Sequence, residues 1–285
     1  MNTLKTAFLL IALTLLLIWI GSLIAGVAGA TFAFFVALVM NMVSYWWSDK
    51  IVLKMYRAKE ILPQDNPDLH RIVNNLAMAA SIPKPRLWLV PLNVPNAFAT
   101  GRNPRHASLA VTKGLLDTLT LEEIEGVLSH EIAHIKDRDI LISTVTATIA
   151  GAIMMIAYWA RWAAFLGGFG GSDDEGGGGN LIALLAVSIL APIAALLIQL
   201  AISRTREYQA DKKGAELSGK PLYLASALEK IDAWVKRRPL VGASPSTAHL
   251  FIVNPFKGDW LTRLFSTHPP TQERIKRLRA MAGLV

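Results

Sequence analysis

Long uncharged runs dominate the pattern of hydrophobic and polar positions along the chain. Thr6–Ala30 and Thr31–Trp47 carry no charged side chain and are rich in apolar residues. A run of about 20 such residues can cross the hydrocarbon core of a bilayer as a helix. Ile140–Ala160 and Leu181–Ile202 are two further runs of this kind. The pattern therefore predicts four membrane spans in two pairs, and the small residues from Gly26 to Ala30 suit a tight turn within the first pair.

Each pair leaves an alternative open. Lys5, the apolar stretch and Ala28–Ala30 imitate the three parts of a signal peptide, although the stretch is longer than usual and a second run follows at once. The second pair carries polar side chains such as Thr144 and Gln199, which would also suit a buried hairpin in a large soluble domain. Inside a membrane, the same side chains would face neighbouring helices.

Charged residues predict the orientation of the spans. Basic residues follow the second and fourth runs, namely Lys50, Lys54, Arg57 and Lys59, then Arg204, Arg206, Lys212 and Lys213. The glycine-rich segment Gly167–Asn180 has three acids and no Lys or Arg. Since cytoplasmic loops carry the excess of basic residues, Asp49–Asp139 and Ser203–Val285 are predicted to be cytoplasmic, with both termini inside. The chain then divides into a hairpin (1–48), a cytoplasmic part (49–139), a second pair of spans (140–202) and a second cytoplasmic part (203–285).

The composition supports a membrane protein and restricts its chemistry. A mean hydropathy of +0.39 with 53% hydrophobic residues is too apolar for an ordinary soluble enzyme. The net charge of +8 fits basic cytoplasmic loops of a protein in the cytoplasmic membrane, and we expect no nucleic-acid partner. The chain has no cysteine, so it has neither disulfides nor thiolate metal ligands. Any metal ion must be held by nitrogen and oxygen atoms.

The first cytoplasmic part shows the periodicities of a helix and of short strands. Asn66 and Pro67 predict a helix start, and the apolar spacing continues to Ala80. Arg86–Val90 and Ser108–Thr112 have the composition of short strands, and Asn96–Ala99 is a candidate strand between them. A small sheet of this kind can bind an extended peptide as an additional strand.

The next predicted helix carries the most informative motif in the chain. Thr120 and Glu123 have the spacing of a capping box and predict a helix from Leu121 to about Ile135. This helix contains the sequence HEIAH at residues 130–134. Positions i and i+4 share one face of a helix, so its two histidines can bind one metal ion. The carboxylate next to the first histidine can accept a proton from a water that the metal activates.

The third ligand must be sought elsewhere in the chain. A catalytic zinc takes three protein ligands and leaves one position open. Glu207 and Asp211 share a helical face just after the fourth run. Glu207 is a candidate ligand, while Asp211 can accept the ring N–H of a ligand histidine. By spacing alone, an ordinary solvated acid pair beside basic residues remains the alternative. Manganese or cobalt would also fit nitrogen and oxygen ligands.

Two weaker motifs complete the candidate site. Asn96 and Ala97 lie in a segment that can position the backbone of a substrate, or can be a structural strand and turn. His268 precedes two prolines. Its imidazole can stabilise a developing oxyanion, or it can belong to a turn that starts a helix over Gln272–Leu278.

Several motifs together resemble one family. HEIAH is followed by SRTREYQAD (Ser203–Asp211) and STHPPTQERI (Ser266–Ile275), and it is preceded by PNAFATG (Pro95–Gly101). With the hydrophobic runs between them, these motifs resemble the HtpX family of membrane metalloproteases, relatives of the CAAX prenyl proteases. The resemblance implies that His130, His134 and Glu207 bind one zinc ion per chain. It also implies that Glu131 is the general base.

The expected protein is a mainly helical α+β membrane protease. It has four transmembrane helices and a cytoplasmic zincin-like metalloprotease domain with a small β-sheet. The resemblance implies cleavage of damaged or misfolded membrane proteins at the cytoplasmic face, a role in quality control and stress response, and self-cleavage. Its partners are then unfolded or membrane protein substrates and the lipid bilayer. A site-selective protease of the prenyl-protein type and a non-catalytic membrane scaffold with a structural zinc are the alternatives. A transporter is disfavoured because the spans lack charged groups.

Overall fold

A computed structural model describes residues 2–146, 148, 149, 153, 204–238, 250–253 and 269–284. The predicted fourth span, most of the third, the glycine-rich segment 167–180 and His268 lie outside these residues. The described part is mainly helical and contains one small mixed sheet, which confirms the predicted balance of secondary structure.

The N-terminal helix α1 (Asn2–Met55) doubles back on itself. Its backbone is helical along its length, but Gly26 has a left-handed φ of +57°. The Nδ2 atom of Asn41 donates a hydrogen bond of 2.9 Å to Oγ1 of Thr14, 27 residues earlier. In a straight helix, residues 27 positions apart are separated by about 40 Å. The segment is therefore a hairpin that reverses at Gly26.

The second arm of this hairpin has the length and composition of a membrane span. Gly26–Met55 is long and apolar enough to cross a bilayer, and Leu10–Trp19 in the first arm is a shorter apolar helix. Many large apolar side chains of the second arm, including those of Phe32 and Val39, are exposed. A long helix with so little of its apolar surface covered is suited to contact with lipid.

Four strands form the sheet beside this hairpin, in the order β1-β2-β4-β3. The strands are β1 (Lys59–Glu60), β2 (Arg86–Val90), β3 (Ala97–Gly101) and β4 (Ala107–Thr112). Strand β2 is parallel to β4, whereas β1 and β3 run antiparallel to their neighbours. Within the described residues, β3 therefore has a strand neighbour on one side only. Its other edge faces helix α4, which positions the site.

The remaining helices are α2 (Pro67–Ala80), α3 (Lys113–Thr118), α4 (Leu121–Lys136), α5 (139–146), α6 (Arg204–Ser218), α7 (Pro221–Arg237) and α8 (Thr271–Met281). Helix α2 starts where the sequence predicts, with Oδ1 of Asn66 accepting a hydrogen bond of 3.0 Å from the Leu69 amide. The capping box of α4 is also present, because Thr120 and Glu123 each accept a hydrogen bond from the other's backbone. Both helices are therefore delimited by local chemistry.

Helix α4 is the centre of the domain, packed against α2, α6, α7 and strand β3. Two glycines permit this close packing. A Cβ atom on Gly126 would collide with the backbone of Leu224 in α7, and one on Gly214 of α6 would lie 2.8 Å from the backbone nitrogen of His130. Because backbone atoms cannot yield, no larger residue fits at either position without shifting a helix.

The end of α1 is joined to the sheet by an apolar cluster. Leu53 of α1 is buried in this cluster with Phe98 of β3 and Ala110 of β4. The ring of Tyr56 lies 5.5 Å from that of Phe98. The hairpin is therefore packed directly onto the strand that borders the site.

Candidate metal centre and active site

Helix α4 presents two imidazoles to the same point. His130 and His134 are one turn apart, and their Nε2 atoms lie 3.2 Å from each other. His130 is buried, whereas 15% of the His134 side chain is exposed. The pair therefore has one side in the protein interior and one side open to a cleft.

Helix α6 brings a carboxylate to the same point. The Oε2 atom of Glu207 lies 3.8 Å from Nε2 of His130, and its Oε1 atom lies 3.6 Å from Nε2 of His134. The ionisable side chain of Glu207 is buried. The close approach of α6 to α4 at Gly214 makes these distances possible.

This donor set fits a zinc ion. Zinc binds imidazole nitrogen and carboxylate oxygen at about 2.0–2.2 Å in tetrahedral geometry, so two ligand atoms of one ion lie about 3.4 Å apart. The three observed separations, 3.2, 3.6 and 3.8 Å, are close to this value. One ligand atom from each of His130, His134 and Glu207 can be chosen so that all lie within 4.8 Å of one another. A small movement would bring all three to bonding distance of one ion.

The outer nitrogen of each imidazole faces a carboxylate. Nδ1 of His130 lies 2.9 Å from Oδ1 of Asp211, although its N–H does not lie along this line, and the contact is electrostatic rather than a well-directed hydrogen bond. Nδ1 of His134 lies 3.1 Å from Oδ2 of Asp139. Such contacts fix the tautomer and orientation of a metal-binding histidine, leaving Nε2 free for the ion.

Two arginines partner these carboxylates. Arg274 donates hydrogen bonds from Nε and Nη2 to the two oxygens of Asp211, at 2.8 and 2.7 Å. It is buried, and its Nη1 donates to the carbonyl of Ile252. Arg206 donates from Nη1 to the second oxygen of Asp139 at 3.3 Å. Each imidazole therefore contacts a carboxylate, and each of these two carboxylates contacts an arginine.

The buried charges shift the pKa values of the site. Burial alone would lower the pKa of His134, but the hydrogen bond to Asp139 and the charges of Glu207 and Glu131 raise it to about 9. Burial would raise the pKa of Asp211, yet the charge and hydrogen bonds of Arg274 and the contact with His130 lower it to about 2. Asp211 is thus ionised throughout the physiological range.

Glu131 lies between this centre and strand β3. Its Oε2 accepts a hydrogen bond of 3.0 Å from the backbone amide of Ala99. Burial raises the pKa of Glu131, and the nearby charges of His130 and His134 oppose this shift only in part. A carboxyl group with a raised pKa can both accept and return a proton near neutral pH.

A short segment of the chain forms one wall of the cleft. Residues 250–252 line it together with Phe98 and Ala99 of β3. Nδ2 of Asn96 donates to the carbonyl of Leu250 at 3.0 Å, and Oδ1 accepts from the amide of Ile252 at 2.9 Å. The side chain of Asn96, predicted as a substrate-binding group, is therefore buried and occupied by the chain itself. Ala97 is also buried.

The structure brings His130, Glu131, His134, Glu207 and Asp211 together, as the sequence analysis expects. The predicted residue His268 lies outside the described residues. Asp139 and Arg274 were not predicted. Asp139 follows His134 by five residues, which is outside the i, i+4 spacing that identified the motif. Arg274 contacts Asp211, which is 63 residues away in the chain. Arg274 lies within the STHPPTQERI motif, and that is the one sequence signal that marks its position.

Two histidines one turn apart, a carboxylate from a second helix and a buried glutamate beside an edge strand define the class of zinc-dependent metalloproteases. The comparisons agree with this class. The family model of peptidase family M48 matches residues 63–282, and the chain belongs to this family.

Two of its relatives resemble it over nearly their full lengths. A protease HtpX homolog of Syntrophobacter fumaroxidans is 56% identical over 97% of this chain and 98% of its own. A protease HtpX homolog of Pyrococcus furiosus is 57% identical over 98% of this chain and 95% of its own. The protein is accordingly a membrane metalloprotease that uses zinc.

A solved structure shares the fold at lower similarity. The crystal structure of S. mikatae Ste24p aligns with 97% of this chain at a TM-score of 0.51 and 19% sequence identity. This chain spans 64% of that chain. The likeness supports the fold.

Proposed function

We propose that this protein is an endopeptidase whose zinc ion is bound by His130, His134 and Glu207, with Glu131 as the general base. The observation that carries the proposal is the convergence of three ligand atoms from two helices beside a buried carboxylate. When bound, zinc polarises the scissile carbonyl and lowers the pKa of the attacking water. Asp211 and Asp139 hold the two imidazoles with Nε2 toward the ion.

Glu131 has the geometry of a proton carrier. The amide of Ala99 fixes one carboxylate oxygen, so the other is available to accept a proton from the attacking water. The raised pKa of Glu131 then allows it to deliver this proton to the leaving amine. A substrate strand that runs along β3 would lie within reach of this carboxylate. In this arrangement Asn96 supports the wall formed by residues 250–252.

We further propose that four spans hold the site at the cytoplasmic face. The divisions are a transmembrane hairpin (1–48), the first part of the protease domain (49–139), two further spans (140–202) and the second part of the domain (203–285). The basic residues after the second and fourth runs support this orientation. Since the chain has no cysteine, single cysteines at Ser172 and Ser218 would report it. An impermeant maleimide added to intact cells should label Ser172→Cys and not Ser218→Cys, and the opposite pattern would reverse the topology.

The substrates in this proposal are damaged or misfolded membrane proteins, and the protein also cleaves itself. The similarity to the HtpX family supports this role in quality control and stress response. Mapping the cleavage sites in an unfolded protein tests it, because many unrelated sites indicate general proteolysis. Cleavage at a single type of site would instead favour a site-selective enzyme of the prenyl-protease type.

The catalytic proposal is tested by Glu131→Gln against a matched control on the same helix. Glu125→Gln is the control, since Glu125 lies near the surface of α4, 3.5 Å from Lys220. Wild type and both variants should each bind one zinc ion. Cleavage of casein should fall by about 100-fold or more in Glu131→Gln alone, the loss expected for a general base. Equal cleavage by all three proteins, or inert wild type with zinc bound, would favour a scaffold with a structural zinc.

A further inference from the structure

Two apolar helices leave the protease domain at the same end of the sheet. Helix α1 packs on the middle of the sheet through Leu53, and seven residues earlier its Trp46 lies under the side chain of Arg102, just beyond β3. Helix α5 passes the end of β3, where Oγ1 of Thr144 lies 3.0 Å from Oγ1 of Thr100 and accepts from the Gly101 amide at 3.4 Å. In the sequence, apolar residues follow the described part of α5 and precede Trp46 in α1. The Gly101 end of the sheet therefore faces the bilayer.

This end of the sheet is basic. The turn between β3 and β4, residues 101–107, contains Arg102 and Arg105 and no acid. Arg86 begins strand β2 at the same end. Among the residues that the structure describes, Arg102 and Arg105 form no ion pair within 4.0 Å with an acidic side chain. The positive charge of the turn is thus available to an external partner.

Aromatic side chains lie at the same level. The guanidinium carbon of Arg102 lies 4.6 Å from the ring centre of Trp46. The residues Tyr45, Trp46 and Trp47 are 38–48% exposed. Such amphipathic rings are typical of the boundary between lipid tails and headgroups. Lys50 lies one helical turn from Trp46 and is also exposed. Residues 45–57 contain one acid, Asp49, and three basic residues, Lys50, Lys54 and Arg57.

We propose that Trp46, Lys50, Arg102 and Arg105 form a headgroup surface that binds the phosphates of anionic phospholipids. Stacking on Trp46 leaves the N–H groups of Arg102 free to donate to phosphate oxygens. This inference rests on the proposed cytoplasmic orientation, in which the headgroup surface meets the leaflet that carries the anionic lipid charge. Exposed basic residues near such a leaflet gain electrostatic attraction that salt screens.

The headgroup surface also sets the height of the active site. Ala99, whose amide binds Glu131, lies two residues before the end of β3 at Gly101, and Arg102 follows directly. Two residues of a strand span about 7 Å, so the backbone of Arg102 lies roughly within 10 Å of Ala99. Lipid bound at Arg102 thus holds the substrate strand and the carboxylate of Glu131 at a fixed distance from the membrane, and the activity should depend on the lipid.

The test compares Arg102→Gln/Arg105→Gln with a control of equal charge change, Arg71→Gln/Lys113→Gln. Arg71 and Lys113 are exposed, and Lys113 lies at the opposite end of β4 from the basic turn. Each protein is placed in nanodiscs of phosphatidylcholine alone or with phosphatidylglycerol. The measurements are kcat/KM for a cytoplasmically exposed membrane substrate and the phosphatidylglycerol retained per chain after extraction, determined by mass spectrometry.

Wild type and the control variant should have a higher kcat/KM in nanodiscs with phosphatidylglycerol. Salt at 0.5 M, roughly three times physiological ionic strength, should reduce this increase in kcat/KM. Arg102→Gln/Arg105→Gln should lose most of the increase in kcat/KM. It should also retain less phosphatidylglycerol than wild type, by a factor of about five or more. In neutral detergent all three proteins should cleave casein equally, because the variants leave the catalytic groups intact. The inference would be overturned if phosphatidylglycerol did not raise the kcat/KM of wild type. It would also be overturned if Arg102→Gln/Arg105→Gln kept both the increase in kcat/KM and the bound phosphatidylglycerol. Wild type inert toward casein in detergent would instead count against the proposed function.

Discussion

Asp139 lies three residues beyond the end of helix α4, and its Oδ2 atom is 3.1 Å from Nδ1 of His134. This contact extends the metal centre past the helix that carries the motif. It makes Asp139 the counterpart of Asp211, which faces the other imidazole. Both carboxylates follow the histidines in the sequence, Asp139 at the start of α5 and Asp211 in α6.

Asp139→Asn should weaken zinc binding by about 10- to 100-fold while the protein remains folded, because the imidazole loses the carboxylate that orients it and increases its basicity. Competition with a chelator measures the affinity. Asp137→Asn is the control, since Asp137 in the same turn pairs with Lys213 at 2.6 Å instead of a histidine. If Asp139→Asn and Asp137→Asn bound zinc with equal affinity, Asp139 would have no specific role in metal binding.

Zinc affinity should increase with pH up to about 9. Below its pKa of about 9, His134 carries a proton that zinc must displace. Each unit of pH then raises the apparent affinity by about tenfold for this proton, and the increase ends above the pKa. Asp139→Asn removes the main hydrogen bond that raises this pKa, so the increase should end at a lower pH. Chelator competition from pH 6 to pH 10 would show both effects, and a flat profile would contradict them.

Gly214→Ala should disrupt the metal centre without changing a ligand. The added Cβ would lie 2.8 Å from the backbone nitrogen of His130, so α6 must move away from α4. Overpacking of this kind costs about 1–3 kcal/mol, and here it also carries Glu207 away from the histidines. We expect at least tenfold weaker zinc binding, roughly the equivalent of 1.4 kcal/mol. Glu216→Ala on the exposed face of α6 should bind zinc like wild type.

Arg274→Met should be strongly destabilising. It leaves the buried carboxylate of Asp211 without the partner that holds its pKa at about 2. Removing one member of a buried ion pair costs about 3–5 kcal/mol. Denaturant unfolding of the protein in detergent, followed by tryptophan fluorescence, measures the loss. Arg277→Met, at an exposed position on the same helix, should change stability little, and Asp211→Asn combined with Arg274→Met should recover part of the loss.

Asn96→Ala should loosen the wall of the cleft. The carbonyl of Leu250 and the amide of Ile252 would lose their partner, and each unsatisfied buried group costs about 1–3 kcal/mol. We expect faster hydrogen exchange at residues 250–253 and a higher KM, with kcat less affected. Asn74→Ala on the exposed face of α2 is the control. Unchanged exchange at the wall together with a raised KM would instead indicate direct contact of Asn96 with substrate.

Local signals in the sequence account for much of the fold. Strand β2 has the predicted bounds, and α4 starts at the predicted residue, because the capping box of Thr120 and Glu123 acts within four residues. The two histidines of the motif converge because helix geometry alone fixes their spacing. Asp211 was predicted for the same reason, one turn after Glu207.

Long-range pairing could not be predicted in this way. Arg274 reaches Asp211 across 63 residues, and Asn96 reaches Ile252 across 156. No sequence periodicity relates such distant positions. These contacts form because α8 and the wall segment (residues 250–252) pack onto the site. The short helix α3 and the two-residue strand β1 also went unpredicted, because each is too short to show a period.

The separation of the ligands along the chain bears on how the protein is made. His134 is synthesised well before Glu207, and at about 5–20 residues per second the ribosome takes several seconds to cover the interval. During this time α4 has emerged without α6, which supplies the carboxylate and packs on it at Gly214. With Glu207 as the third ligand, as proposed above, a nascent chain cannot complete the metal site until the apolar stretch between the two helices has been translated. Under this proposal, the synthesis of α6 is the step that completes the metal site.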